Sequence, residues 1–541
     1  MTIDESIFTE HGLLPPQRRV PIPGGPHNVG EVLDDALSRT PDALALVSRH
    51  ARLTYRELEA EVNAAVAMLR EAGLAPGDRI AATLGNHAEI VVGFLAAQRL
   101  GAIWIGINRA LAAPEKRYIL QDAGARFVIA DAEMATQLES VRAELPALRE
   151  IILAQPGDAG CPWAQRLAAH RGAARHVVPV DPFAPAAIAY TSGTTGFPKG
   201  AVHSQHNMLL IGAARRDQTW RLPPVQGVSL PMTILNLIIL GPLSSFQIGG
   251  TCVCMDATHA LGIADWIERE GVQACTLVPT VLHDFNTNPQ IRPERVRSLV
   301  QAGSGSAALP DTARTAFRDR FGLNVSFTYG LTEAPTIVTV TDPSKPFVAG
   351  GSGIAATHLA VRILGPQDRE LPVGEVGEIC VGPVQAGPWA HVYTPFLGYW
   401  NKPEATAAAL RNGWLHTGDL GAVDPGGNLF VRDRVKDLIV RGGANVYPAE
   451  IERVVLGDAR VAACAVVGKP DLRLGEIVVA FVQPAPGIAA GAELQAGLRA
   501  LCERELARYK IPAEWIFVDD MPRNQMAKIV KPRLRERLGG T

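Results

Sequence analysis

Between residues 28 and 153 the chain alternates helix-patterned and strand-patterned segments, and this alternation narrows the architecture more than any other feature. Thr54-x-x-Glu57 is a capping box that opens an amphipathic helix. Ala75-Pro-Gly-Asp78 turns into a short strand at residues 79–83. Asn86 caps a second helix that ends at Gly101, and residues 102–107 read as another buried strand. The pattern recurs around residues 127–130 and 151–153. Strand–helix–strand order at this spacing implies parallel strands with helices on the faces of the sheet. At 541 residues the chain exceeds what one hydrophobic core supports, so two or more domains are expected.

Composition excludes several partners. Lys and Arg number 52 against 54 Asp and Glu, a net charge of −2 that gives no footprint for nucleic acid or an anionic membrane. Seven cysteines form an odd set with no C-x-x-C, and Cys252 and Cys254 fall on one face of a strand. That pattern argues against a disulfide scaffold or a zinc site and fits a reducing, cytoplasmic setting. The acidic start, Met1-Thr-Ile-Asp-Glu-Ser6, lacks the apolar core of a signal peptide. The most apolar window, residues 232–246, is broken by Asn236, Gly241 and Pro242. It is too short to span a bilayer and reads as a core or pocket-lining segment.

The chemistry is narrowed by a loop. An apolar run at residues 186–190 reads as a buried strand and leads into Tyr190-Thr-Ser-Gly-Thr-Thr-Gly-Phe-Pro-Lys-Gly200. Three glycines let the backbone bend sharply and turn N–H groups inward. Ser192, Thr194 and Thr195 add hydroxyls, and Lys199 adds a positive charge. Such a loop suits a polyphosphate. It is not a Walker A loop, because Pro198 stands where glycine is required and Gly200 where Ser or Thr is required.

Further along, residues 300–308 pass from a strand toward a helix through Gly303-Ser-Gly-Ser-Ala-Ala308, a G-x-G-x-x-A match to the dinucleotide fingerprint. The acidic residue that should end the next strand is missing from residues 323–329, which argues against a dehydrogenase. That strand ends instead in Tyr329-Gly-Leu-Thr-Glu333, where open α/β sheets bind ligands. From about Pro343 the texture shifts to short strands rich in Gly and Pro. Within Gly413-Trp-Leu-His-Thr-Gly-Asp-Leu-Gly421, Asp419 is expected in a tight turn between glycines, suited to accepting hydrogen bonds from ligand hydroxyls. The charged run Arg432-Asp-Arg-Val-Lys-Asp437 is a candidate linker. A second unit follows, with helices at residues 448–456 and 492–509, strands at 461–467, 477–482 and 515–518, and a basic tail.

In this order the blocks resemble the adenylate-forming enzymes: acyl-CoA synthetases, nonribosomal adenylation domains and luciferases. The resemblance runs from about Asn28 to Leu538. It implies an α/β fold with a large N-terminal ATP- and acyl-binding domain, residues 1–434. That domain has mixed and parallel sheets flanked by helices and a β-rich subdomain. A small, mobile α+β C-terminal domain, residues 435–541, follows on a hinge. The loop from Thr191 through Ser192, Gly193, Thr194, Thr195 and Gly196 to Lys199 is similar to the family's loop for the ATP β- and γ-phosphates. Gly303, Ser304 and Gly305 match its adenine-side segment. By the same resemblance Tyr329, beside Gly330, stacks on adenine and Thr332 bonds the α-phosphate. Glu333, with Thr194, holds Mg²⁺, and Asp419 and Arg434 bind the ribose hydroxyls. Lys436 is the hinge residue, Gly443 lines a pantetheine tunnel, and Lys528 is the adenylation lysine. Thr194 and Glu333 join Lys528 as the implied catalytic set.

The implied activity is ATP-dependent conversion of a carboxylic acid to acyl-AMP, then transfer to coenzyme A with release of AMP and pyrophosphate. The alternative acceptor is a carrier protein. Two departures from the family stand out. Ala527 replaces the usual glycine before the lysine, and Thr233-Ile234 replaces the Phe-His common in acyl-CoA synthetases. The implied acyl wall, including Thr233, Ile234, Asn236 and Leu237, contains no Asp or Glu between Val228 and Phe246. An α-ammonium there would go unpaired at high cost. A hydrophobic monocarboxylate is therefore expected, whether aromatic, alicyclic or medium-chain.

Overall fold

The computed structural model describes residues 6–176, 178–191, 198–216, 224–304, 311–342, 345–434, 437–441, 444–471, 473–524 and 528–539. Ser192, Gly193, Thr194, Thr195, Gly196, Gly305, Lys436, Gly443 and Ala527 lie outside the described residues, as does the side chain of Arg434.

Among the described residues, the large N-terminal part contains two seven-stranded sheets. The first runs in the order Val325–Phe327, Gln301–Ser304, Ala274–Thr276, Val225–Val228, Thr251–Cys254, Leu44–Val47, Arg52–Thr54. It is parallel except for its last pair. The second runs Gly398–Tyr399, Lys199–Ser204, Pro185–Thr191, Ile103–Gly106, Arg79–Thr83, Phe127–Ala130, Glu150–Leu153. Its last five strands are parallel, and the first two are added antiparallel. Parallel strands are covered on both faces, which is why Phe127–Ala130 is apolar and buried without alternation. Helices Tyr55–Glu71 and Ala88–Arg99 pack on each other and share one core with strands of both sheets.

The capping box forms as expected: the Glu57 N–H donates to Thr54 Oγ1 (3.2 Å) and the Thr54 N–H to the Glu57 carboxylate (2.8 Å). Asn86 does not cap. The residue before helix Ala88–Arg99 is His87, whose side chain makes no cap bond. Asn86 instead reaches across to the first sheet. Its amide nitrogen faces the carbonyls of Leu230 (2.9 Å), Val228 (3.1 Å) and Met255 (3.1 Å), and its Oδ1 accepts from the Met232 N–H (2.9 Å). Buried backbone groups at strand exits need partners, and here a side chain from the other sheet supplies them.

Nearby, Gly106 ends a strand directly against the Thr233 backbone, where a Cβ would collide with the Thr233 carbonyl oxygen. The apolar window is helical: Leu235–Ile238, a π-turn Ile239–Leu243 holding Pro242, then Ser244–Gln247. The widened turn accommodates the missing proline N–H. Among the described residues no helix is long and apolar enough to cross a membrane.

A third, antiparallel sheet contains Leu359–Leu364, Gly377–Pro383, Trp414–Val423, Leu410–Arg411 and Leu429–Arg434. Two expectations change here. Asp419 lies within the ten-residue strand Trp414–Val423 rather than in a turn between strands. Residues 432–434 of the charged run are strand rather than linker, since Asp433 pairs opposite Leu420. A strand partner satisfies their backbone, and sequence charge alone does not reveal that partner.

Among the described residues the C-terminal unit has its own core and five strands, with Glu514–Phe517 parallel to Gly475–Pro484. Helix Pro448–Leu456 falls at the expected residues. Helix Ala492–Glu505 ends earlier than expected and is followed by a short turn, Arg508–Lys510. The basic tail forms helix Lys531–Gly539.

Asn86→Ala leaves four buried backbone contacts without their partner and is expected to cost about 2–3 kcal/mol. Thermal unfolding checks this: a fall in Tm of roughly 2–3 °C is expected, and an unchanged Tm would mean that the helices alone join the sheets.

Candidate active site

The polyphosphate-loop candidate is the turn of a hairpin, since strands Pro185–Thr191 and Lys199–Ser204 pair antiparallel with Thr191 opposite Lys199. The ladder therefore fixes the two ends of the loop. Tyr118 donates to the Pro198 carbonyl (3.2 Å), and Tyr190 donates to Asp122 (2.7 Å). Burial, then Asp122, pushes the Tyr190 phenol well above its ordinary pKa, so it remains a donor.

Lys199 is the first residue of its strand, and its ammonium lies 4.8 Å from the centre of the Tyr399 ring. Tyr399 sits on the added edge strand opposite Ala201, and its hydroxyl donates to Glu333 Oε1 at 2.8 Å. The Glu333 carbonyl accepts from the Phe396 N–H (3.0 Å), which ties the Glu333 segment to the same edge. Lys199 and Glu333 are thus brought together through a tyrosine that the sequence reading missed. The only signal for it was an aromatic pair, Tyr399-Trp400, after a glycine. The Glu333 carboxylate is a hard oxygen donor of the kind that suits Mg²⁺.

The second group forms on the antiparallel sheet. The Tyr329 hydroxyl donates to Asp419 Oδ2 at 2.6 Å, and the Tyr329 N–H donates to Thr339 Oγ1 at 2.8 Å. Asp419 is only 6% exposed and sits opposite Arg434 in the ladder. Tyr329, Asp419 and the Arg434 backbone therefore lie together. Gly330 pairs with Ile337 in a small hairpin, and Thr332 follows at its half-buried turn.

Thr233 is buried against Gly106, and Ile234, Asn236 and Leu237 are half-buried. Gly303 and Ser304 end the strand Gln301–Ser304. Thr233 Oγ1, Asn236 Oδ1 and Ser304 Oγ find no hydrogen-bond partner among the described residues.

Lys528 belongs to the C-terminal unit and is exposed. Its N–H donates to Asn524 Oδ1 (3.0 Å), and its carbonyl accepts from the Asn524 N–H (2.8 Å), closing a loop. Charged residues flank the expected hinge on both sides. Asp433 accepts from the Ala449 N–H (2.9 Å), and Asp437 pairs with Arg535 (2.7 Å). Lys531 pairs with Glu452 (2.9 Å). Burial works to lower the Lys531 pKa, yet Glu452, Asp433 and Asp437 together outweigh it and hold the ammonium above its ordinary value.

Residues 33–389 match the family described as AMP-binding enzyme, and residues 450–528 match the AMP-binding enzyme C-terminal domain. A fatty acid–[acyl-carrier-protein] ligase, ScoC, of Streptomyces coeruleorubidus is 33% identical over 92% of this chain and 94% of its own length. A feruloyl-CoA synthase of an Amycolatopsis species is 34% identical over 92% of this chain and 97% of its own. The crystal structure of ATP-bound MatB from Rhodopseudomonas palustris superposes with a TM-score of 0.84 at 29% identity, covering 95% of this chain and 99% of that one.

Tyr399→Phe keeps the ring and removes the hydroxyl from Glu333. Loss of that one hydrogen bond is expected to raise the KM for Mg·ATP about fivefold. Steady-state kinetics check this, and an unchanged KM would separate Glu333 from the nucleotide.

Proposed function

The chain belongs to the AMP-binding enzyme family as an AMP-forming acid–thiol ligase, and we propose that it activates a hydrophobic monocarboxylic acid and passes the acyl group to coenzyme A. Two polar clusters in the N-terminal part support this reading. Lys199, Tyr399 and Glu333 suit phosphates, while Tyr329 and Asp419, with Arg434 opposite, suit a nucleoside. Beside them stands an acyl wall without a carboxylate.

A carboxylate resists attack by a thiol because its leaving group would be an oxide. In the first half-reaction the acid's carboxylate oxygen attacks the α-phosphorus of ATP, the bond to the β-phosphate bridge breaks, and pyrophosphate departs. Charge gathers on phosphate oxygens, where Lys199 and Lys528 stabilise it electrostatically. Mg²⁺, held by Glu333 and Thr194, would supply further charge neutralisation on the phosphates. In the second half-reaction the thiol attacks the acyl carbonyl, a thioester forms and AMP leaves.

One cleft serves both chemistries if the unit at residues 435–541 turns on Lys436 relative to residues 1–434. Lys528 faces the cleft for adenylation, and the Gly443 side faces it for thioester formation. A hinge of this kind needs only a few residues that absorb a backbone change. Asp433 and Asp437 flank it with contacts to the C-terminal unit.

The wall also suggests which acids bind best. Thr233 Oγ1, Asn236 Oδ1 and Ser304 Oγ lack partners among the described residues. An acid carrying a hydroxyl or other oxygen substituent would satisfy groups that a plain hydrocarbon leaves unpaired. A carrier-bound pantetheine thiol is the second acceptor reading. It is favoured by similarity to ScoC and by Thr233-Ile234 standing where acyl-CoA synthetases commonly have Phe-His.

Lys528→Ala is expected to slow adenylation about 100-fold or more while sparing thioester formation from supplied acyl-adenylate. Chromatographic assay of each half-reaction, with free CoA as acceptor, checks this. Equal loss of both would refute the division of labour, and absence of any acyl-CoA with intact adenylation would favour the carrier.

A further inference from the structure

The strand that carries Asp419 is out of register with its neighbour just before it reaches that residue. Strands Gly377–Pro383 and Trp414–Val423 pair with Glu378 opposite Leu420 but Cys380 opposite His416. Two steps on one strand therefore face four on the other, and the surplus lies at Thr417, Gly418 and Asp419. Gly418 adopts φ +70°, which a side chain rarely tolerates. A bulge of this kind breaks ladder hydrogen bonds, and the freed groups need other partners.

Side chains supply them. Glu378 Oε1 accepts the Gly418 N–H at 3.0 Å. Thr417 Oγ1 donates to the carbonyl of Ile379, the residue skipped by the register shift, at 2.7 Å. The Asp419 N–H donates to the same Thr417 oxygen at 3.1 Å. The other Glu378 oxygen lies 2.9 Å from His416 Nδ1 and 3.6 Å from the Arg411 guanidinium, which also pairs with Asp368 at 3.1 Å.

Glu378, Cys380 and His416 have the donor types of a metal site. The Arg411 cation, 2.6 Å from His416 Nδ1, already occupies that corner. Burial, then Glu378, pushes the Cys380 thiol up to about 12, so it stays protonated. The group is a charged clasp on the bulge.

We propose that Glu378 is a positioning residue for nucleotide recognition: by holding the Gly418 N–H it sets the bulge that presents the Asp419 carboxylate, beside Tyr329, to the ribose hydroxyls. The proposal rests on the reading of Asp419 as the ribose ligand. The Asp419 strand keeps its pairing with Arg434 on one side while it bulges away from the Gly377–Pro383 strand on the other. Glu378 holds that bulge through the Gly418 N–H.

The test is calorimetric binding of Mg·ATP and Mg·2′,3′-dideoxy-ATP to the full-length protein, so no acid substrate is required. The readout is the ratio of the two dissociation constants, together with Tm. The wild type is expected to favour ATP about tenfold, and Asp419→Ala to bring the ratio near one. Glu378→Ala is expected to do the same, because the bulge relaxes. Glu378→Asp, a milder change that keeps the charge but draws it back from the Gly418 N–H, is expected to lose at least half of the discrimination. Glu378→Gln keeps an acceptor for that N–H and is expected to restore the ratio to within about twofold of the wild type. A wild-type ratio in Glu378→Ala and Glu378→Asp, with collapse in Asp419→Ala, overturns the positioning role and leaves the ribose reading standing. A wild-type ratio in Asp419→Ala overturns the ribose reading and the proposal with it.

Discussion

Four hydrogen-bond contacts from one buried amide hold the two large sheets at a fixed offset. Asn86 leaves the second sheet and ties down the exits of two strands of the first, and its Oδ1 also takes the Met232 N–H. The turn at residues 231–234 is thereby referenced to the sheet that carries the hairpin of strands Pro185–Thr191 and Lys199–Ser204. Gly106 adds a steric stop, since its bare backbone is what lets the Thr233 carbonyl approach. An error of an ångström at this joint would be passed to every distance between acid and nucleotide, and reactions between bound partners are sensitive to misplacement on that scale.

From that joint the site is assembled out of additions to the parallel sheets. A parallel sheet gathers ligands at the carboxyl ends of its strands but offers few side chains there. Here an antiparallel hairpin brings Lys199, a two-residue edge strand brings Tyr399, and a separate antiparallel sheet brings Asp419. Each addition is held by polar contacts among residues far apart in sequence, such as Tyr399 with Glu333 and Tyr329 with Asp419. The small C-terminal unit keeps a core of its own.

What could be read from the sequence was what local chemistry determines. The Thr54–Glu57 capping box, the buried strands of the parallel sheets and helix Pro448–Leu456 each depend on residues within a few positions of one another. Tyr329 and Asp419 were found through motif order, and they do meet. The misreadings share one cause. Asn86 looked like a helix cap because a cap is the nearest use for an asparagine before a helix, yet its partners lie more than 140 residues away. Asp419 looked like a turn residue because of its glycines, and the bulge is visible only once the neighbouring strand and Glu378 are in place. Residues 432–434 read as solvated linker for want of a visible strand partner, and Tyr399 carried no signal beyond its ring.

The central claim is that this cleft turns an inert acid into a mixed anhydride with AMP. Acid-dependent exchange of labelled pyrophosphate into ATP measures that step alone, before any thiol is involved. Across aromatic, alicyclic and medium-chain acids, the account predicts exchange with at least one hydrophobic monocarboxylate and none with α-amino acids. Protein that binds ATP yet exchanges no pyrophosphate with any acid, or exchanges it only with amino acids, would contradict it.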